Sequence, residues 1–143
     1  NMGNFNSNGK IEYIVNEEKR TVVAIIRGFQ KELRRLYSKY GMGNSYEWNG
    51  ELSPVCRKIE RLPDIYRSVV KCDLRDEFDA EVGKEKAKER LLLKINLARE
   101  NYLFDIYREG LELLATVSDK FMDTSDRNRI ALMTRDMKMG KGE

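Results

Sequence analysis

The two prolines of this chain are Pro54 and Pro63, and beyond Cys72 the sequence runs on helix formers to its last residue. A proline inside a helix costs about 3 kcal/mol, so a long proline-free stretch rich in Ala, Leu, Glu, Lys and Arg is free to form a helix of unusual length. The spacing predicts one long helix from about Asp76 to Met122. Leu91, Ile95, Ala98, Tyr102, Ile106, Leu113 and Val117 make a first apolar stripe, and Leu103, Tyr107, Leu111, Leu114 and Phe121 a second beside it. Together they are wider than a two-stranded coiled-coil seam. Gly83 and Gly110 each cost about 1 kcal/mol relative to alanine in a helix interior, and the first expected break is at Gly110. Thr124, Ser125 and Asp126 offer caps for a last helix carrying Ile130, Met133 and Met137, closed by Gly140. The helical part is thus expected over about residues 76–139.

The segment before it reads differently. NMGNFNSNGK, residues 1–10, is Asn- and Gly-rich without periodicity and is expected to be a flexible lead-in; residues 11–143 form the single domain. IEYIVN alternates with the period of a strand, NEEKR makes a turn, and TVVAIIR follows as a β-branched run apolar on both faces. Such a run fits a central strand covered on both sides, or on one side by another subunit. Arginines open and close it, in RTVVAIIRG. Phe29, Leu33, Leu36, Tyr37 and Tyr40 lie at helical spacing opposite Lys31, Arg34, Arg35 and Lys39, an amphipathic helix ending at Gly41. Asn49-Gly50, between Trp48 and Leu52, suits a tight exposed hairpin. Ser53-Pro54 reads as an N-cap and first helical position for a helix of two turns, and IYRSVVKC as a third long strand.

Composition excludes more than it selects. The chain has no histidine, which removes the commonest general base and the commonest metal ligand. Cys56 and Cys72 have no CxxC spacing and read as reduced, structural residues. There is no apolar run near 18 residues and no signal-like start, so the expectation is a soluble, non-exported cytosolic chain without a membrane partner. Lys plus Arg exceed Asp plus Glu by 27 − 24 = 3, spread along the chain, which allows nucleic-acid binding without indicating it. The charged share, 36%, is well above the usual quarter and suits elongated, charge-covered helices, with oligomerisation through their apolar stripes.

No constellation for catalysis is visible, and none for a cofactor. GMG at residues 41–43 lacks the rest of a phosphate-loop motif. Asp73, Asp76, Glu77, Asp79 and Glu81 could hold a hard cation, but a helix N-terminus gathers carboxylates anyway. The remaining candidates are basic: Arg27 at a strand end, Arg67 within another strand, and Arg90 and Arg99 on the long helix. Arginine presents a fork of donors suited to phosphate, and Phe78, Tyr102 or Trp48 could stack on a base. Arg27 stands out because its strand neighbours are apolar and few carboxylates lie near it in sequence.

Two segments, KIEYIVNEEKRTVVAIIRG and SVVKCDLRDEFDAEVGKEKAKERLLLK, together resemble small phage and prophage proteins of Gram-positive bacteria, and within them the Thoeris anti-defence sponge family. The resemblance covers about a third of the chain. It implies a non-enzymatic homo-oligomer in the host cytoplasm that sequesters a cyclic ADP-ribose-type nucleotide, with arginines on the phosphates and an aromatic on the adenine. The matching positions are Arg27, Phe78 and, on the helix, Arg90. Leu74 stands where that pattern has a turn proline, and the helical tail beyond Tyr102 is longer.

The expected fold is therefore α+β: a small antiparallel sheet of three to five strands, a short helix and long C-terminal helices that mediate oligomerisation. Two other functions fit the same sequence. One is an inhibitor that binds a bacterial defence protein directly, as anti-CRISPR proteins do, with Trp48 and the Asn-Gly hairpin as contacts. The other is a nucleic-acid binder using Lys31, Arg34, Arg35 and Lys39.

Overall fold

The structure, a computed structural model, describes residues 10–42 and 52–141. Residues 1–9 of the lead-in, and the Asn49-Gly50 hairpin with Trp48, lie outside the described residues. The elements run β1 (Glu12–Asn16), β2 (Thr21–Ile26), α1 (Phe29–Tyr40), α2 (Pro54–Lys58), a 3-10 turn (Ile59–Arg61), β3 (Tyr66–Lys71) and α3 (Ala80–Lys141). The three strands form an antiparallel sheet in the order β1-β2-β3, so the class is the α+β expected.

Each element follows from local chemistry. The β1–β2 turn is closed by the Asn16 side chain, which accepts from Lys19 N at 3.0 Å, and by Arg20, a non-glycine residue at φ 54°. Gly28, at φ 80°, turns the chain from β2 into α1, whose first amides are satisfied from outside: Phe29 N and Gln30 N donate to the carbonyl and side chain of Asp64. Ser53 caps α2, accepting from Cys56 N at 3.1 Å, with Pro54 in the first turn.

β2 is the centre of the sheet, and its two faces differ. Val22, Ala24 and Ile26 are buried under α1 and α3 together with Phe29, Leu33, Leu36, Leu91 and Ile95. On the other face a row of Ile14, Val23 and Val69 crosses the three strands, with Ile14 55% and Val69 50% exposed. Of the two expected arrangements, cover on both sides or on one side by another subunit, the described residues cover one face of β2 fully and the other only at Ile25.

The C-terminal region is one helix of 62 residues, about 93 Å long, where breaks had been expected at Gly110 and near Thr124. Both internal glycines are packing points. A Cβ on Gly83 would stand 2.6 Å from Val22 Cγ2, and one on Gly110 3.0 Å from Met42 Sδ. The hydroxyls of Thr116, Thr124 and Thr134 bond back to carbonyls four residues earlier, so these threonines sit inside the helix instead of capping it. The helix starts at Ala80, later than Asp76, because Asp79 caps it, accepting from Glu81 N at 3.0 Å and Val82 N at 3.2 Å. The first apolar stripe is buried from Leu91 through Leu113, with Ala98 partly so, but Val117 beyond it and the second stripe from Tyr107 onward are exposed.

A buried polar knot joins the helices. Tyr37 Oη lies 2.5 Å from Ser53 Oγ and donates to Glu109 Oε1 at 2.9 Å; Glu109 also accepts from Val55 N at 3.2 Å. Tyr102 donates to the Val55 carbonyl at 2.9 Å. Burial pushes the Tyr37 phenol up to about 12 and also raises Tyr102. This knot holds α1 against α3 and so fixes the cleft described next.

Candidate functional site

The arginines that bracket β2 are both engaged. Arg20 Nη2 donates to the Cys72 sulfur at 3.4 Å, to the Asp73 carbonyl at 3.0 Å and to the Asp76 carbonyl, and thereby ties down the loop between β3 and α3. Arg27 pairs with Glu12 at 3.2 Å, both side chains being 56% exposed. The strand pairing supplied a carboxylate that sequence proximity had not: Glu12 on β1 lies opposite Ile25, one strand away.

The three residues expected to form the site do not meet. Phe78 is half-buried and packs on the core beside Arg20, at the opposite end of β2 from Arg27, about 20 Å away for a strand of six residues. Arg90 is exposed on α3 and donates to the Val69 carbonyl at 3.3 Å, covering the free edge of β3 beside Lys94, which donates to the Arg67 carbonyl at 2.8 Å. The cavity around Phe78, about 420 Å³, is lined by Arg20, Lys71 and Lys86 against Asp73, Asp76, Glu77 and Asp79, or 3 − 4 = −1 in net charge. An anion is not favoured there.

A second cleft, of about 500 Å³ between α1 and α3, has the opposite balance. Arg35, Lys39, Tyr40 and Leu36 of α1 and Arg99 and Leu103 of α3 line it. Beneath lies Glu32, fully buried on the apolar side of α1. Arg35 grips it with two bonds, Nη2 to Oε1 at 2.6 Å and Nε to Oε2 at 3.0 Å, and these bonds drive the Arg35 guanidinium further above its ordinary value. Arg99 Nε stands 3.5 Å from Oε1, close enough for a charge contact, and its buried N–H has no hydrogen-bond acceptor among the described residues. With three cations and one carboxylate, the cleft keeps 3 − 1 = 2 positive charges.

That arrangement suits anion capture. The buried carboxylate holds the Arg35 guanidinium through two hydrogen bonds and keeps Arg99 beside it by charge, so less side-chain freedom is lost at Arg35 when an anion binds. Lys39 adds an ammonium 5.2 Å above the Tyr40 ring. The ring itself, on a residue 51% exposed, offers a stacking face, and Leu36 and Leu103 give the cleft an apolar floor. Its size is that of small-molecule sites, about 300–1,000 Å³.

Sequence reasoning had named Arg35, Lys39 and Arg99, in separate contexts, and had assigned Tyr40 to the apolar face of α1. It passed over Glu32, which carried the signal: a carboxylate three residues after Phe29 and four before Leu36 stands within the apolar stripe and must find buried partners. Comparison of the chain with protein-family models, curated proteins and solved structures gave no match.

Proposed function

We propose that this chain is a non-enzymatic phage anti-defence protein that binds and sequesters an anionic nucleotide of the cyclic ADP-ribose class in the host cytoplasm, and that the ligand sits in the α1–α3 cleft. The observation that carries the reading is the pairing of Arg35 and Arg99 on one buried glutamate, with Lys39 and Tyr40 at the rim. Two neighbouring guanidiniums and an ammonium suit a pyrophosphate; an exposed tyrosine face suits a base. Sequestration requires affinity alone, and a cleft lined by cations and an aromatic supports that reading without calling for a nucleophile. The class of nucleotide comes from the resemblance of the β1–β2 hairpin and the 68–94 segment; the location comes from the cleft.

Native mass spectrometry with a panel of cyclic ADP-ribose isomers, linear ADP-ribose and AMP tests the reading. The expected spectrum shows one ligand mass per cleft for a cyclic isomer, recovered unaltered on heating. Spectra unchanged by every nucleotide would overturn it, and a gel shift of single or double strands that weakens steeply with salt would favour the nucleic-acid reading instead.

A further inference from the structure

Along α3, every residue from Leu114 to Gly140 except Ser125 is exposed. Most of a helix's stability in a protein comes from packing its apolar face, and this one carries large apolar side chains that nothing among the described residues covers. Leu114, Phe121, Leu132 and Met139 are 52%, 67%, 51% and 64% exposed. They fall on one heptad seam, interleaved with Ser118, Ser125, Asn128 and Arg135.

We propose that this segment is a homodimerisation arm, and that its partner is the same segment of a second copy running antiparallel. Place a two-fold axis between Asp126 and Arg127, so that residue n faces residue 253 − n of the second copy. Leu114 then faces Met139 and Phe121 faces Leu132, while Ser118 faces Arg135 and Ser125 faces Asn128. Apolar meets apolar and polar meets polar at each of these positions. A parallel pair in register would set Arg135 against Arg135 and Asn128 against Asn128.

Charge selects the same direction. Residues 115–126 carry Asp119, Lys120, Asp123 and Asp126, or 1 − 3 = −2; residues 127–138 carry Arg127, Arg129, Arg135, Asp136 and Lys138, or 4 − 1 = +3. The antiparallel pair lays the acidic half of each arm along the basic half of the other, and a parallel pair lays like against like. An isologous two-fold contact closes on itself and yields a discrete dimer. This inference does not rest on the ligand reading, since no seam residue of the arm lines the α1–α3 cleft.

Light scattering after size exclusion tests it on the full chain. The native chain is expected as a dimer at micromolar concentration, dissociating as salt rises, and Phe121→Asp is expected to weaken the dimer about a hundredfold or more. Phe121 lies outside the packed core, so circular dichroism of the variant should keep its strand signal and cooperative melt. Direction is read by cross-linking in a Cys56→Ser/Cys72→Ser background. Chains carrying Phe121→Cys and chains carrying Leu132→Cys should form a disulfide when mixed, and Phe121→Cys alone should not. A monomeric native chain, a dimer indifferent to Phe121→Asp, or a ready disulfide between two copies of Phe121→Cys would each overturn the proposal.

Discussion

Replacing Glu32 by glutamine perturbs the cleft at its foundation. The side chain is fully buried and serves Arg35, which is 51% exposed, and Arg99, which is 19% exposed. Arg35 can recover water once released, so its share of the loss is that of a surface pair, about 0.5–1 kcal/mol. Arg99 cannot, and leaving its guanidinium beside a neutral amide costs about 2–3 kcal/mol. The expected destabilisation of Glu32→Gln is therefore about 3 kcal/mol, or a melting shift of roughly 10 °C. Arg99→Met should cost less, because methionine fills the volume of the stem without a charge, and the double variant should be more stable than the sum of the single losses by about 1.5–2 kcal/mol. Urea unfolding of the four proteins by far-UV circular dichroism measures the cycle. A loss under about 1 kcal/mol for Glu32→Gln, or additivity within about 0.5 kcal/mol, would refute the claim that Glu32 and Arg99 are one coupled unit.

Gly83→Ala should destabilise by about 1–3 kcal/mol although alanine is the better helix former, because the new methyl overlaps Val22; adding Val22→Ala should recover part of the loss, and Gly140→Ala, with open space around it, should cost nothing measurable in a thermal melt. Alkali should destabilise the protein in part through Tyr37, beside Tyr102: the Tyr37 phenol ionises near 10 in the unfolded chain and about 12 when folded, so the stability it supplies is complete below pH 10 and is lost as pH rises to 12. A Tyr37→Phe variant should lose stability less steeply across that window in urea titrations at fixed pH. Arg20→Ala should free the loop after β3, seen as faster hydrogen exchange at Asp76, whose amide bonds to the Asp73 carbonyl, with the strand amides of β2 unaffected.

The elements that announce themselves locally were legible in the sequence. Alternation placed β1, β-branching placed β2 and β3, Ser53-Pro54 marked the start of α2, and the absence of proline marked the long helix. Its continuity was not legible, because a glycine in a helix costs the same in sequence whether it is a break or a contact. Only the third dimension shows Val22 against Gly83 and Met42 against Gly110. The same limit governed the arginines. Arg27 looked unpaired along the chain, yet the hairpin register delivers Glu12 to it; the resemblance of two separate segments implied Arg27 and Phe78 at one site, yet β2 holds them at opposite ends. Arg35 and Arg99 are 64 positions apart, and nothing short of α1 packing on α3 brings them to one carboxylate.

The central claim, that the cationic α1–α3 cleft is the seat of an anionic nucleotide, is tested most directly by calorimetric titration of cyclic ADP-ribose isomers into the native chain, Arg99→Ala, Lys39→Ala and Arg27→Ala. Binding that drops at least about tenfold in the first two variants and is unchanged in Arg27→Ala is the predicted result, each lost charge-assisted contact being worth about 1.5–3 kcal/mol. Binding that survives Arg99→Ala and Lys39→Ala but fails with Arg27→Ala would contradict the account and return the site to the end of β2.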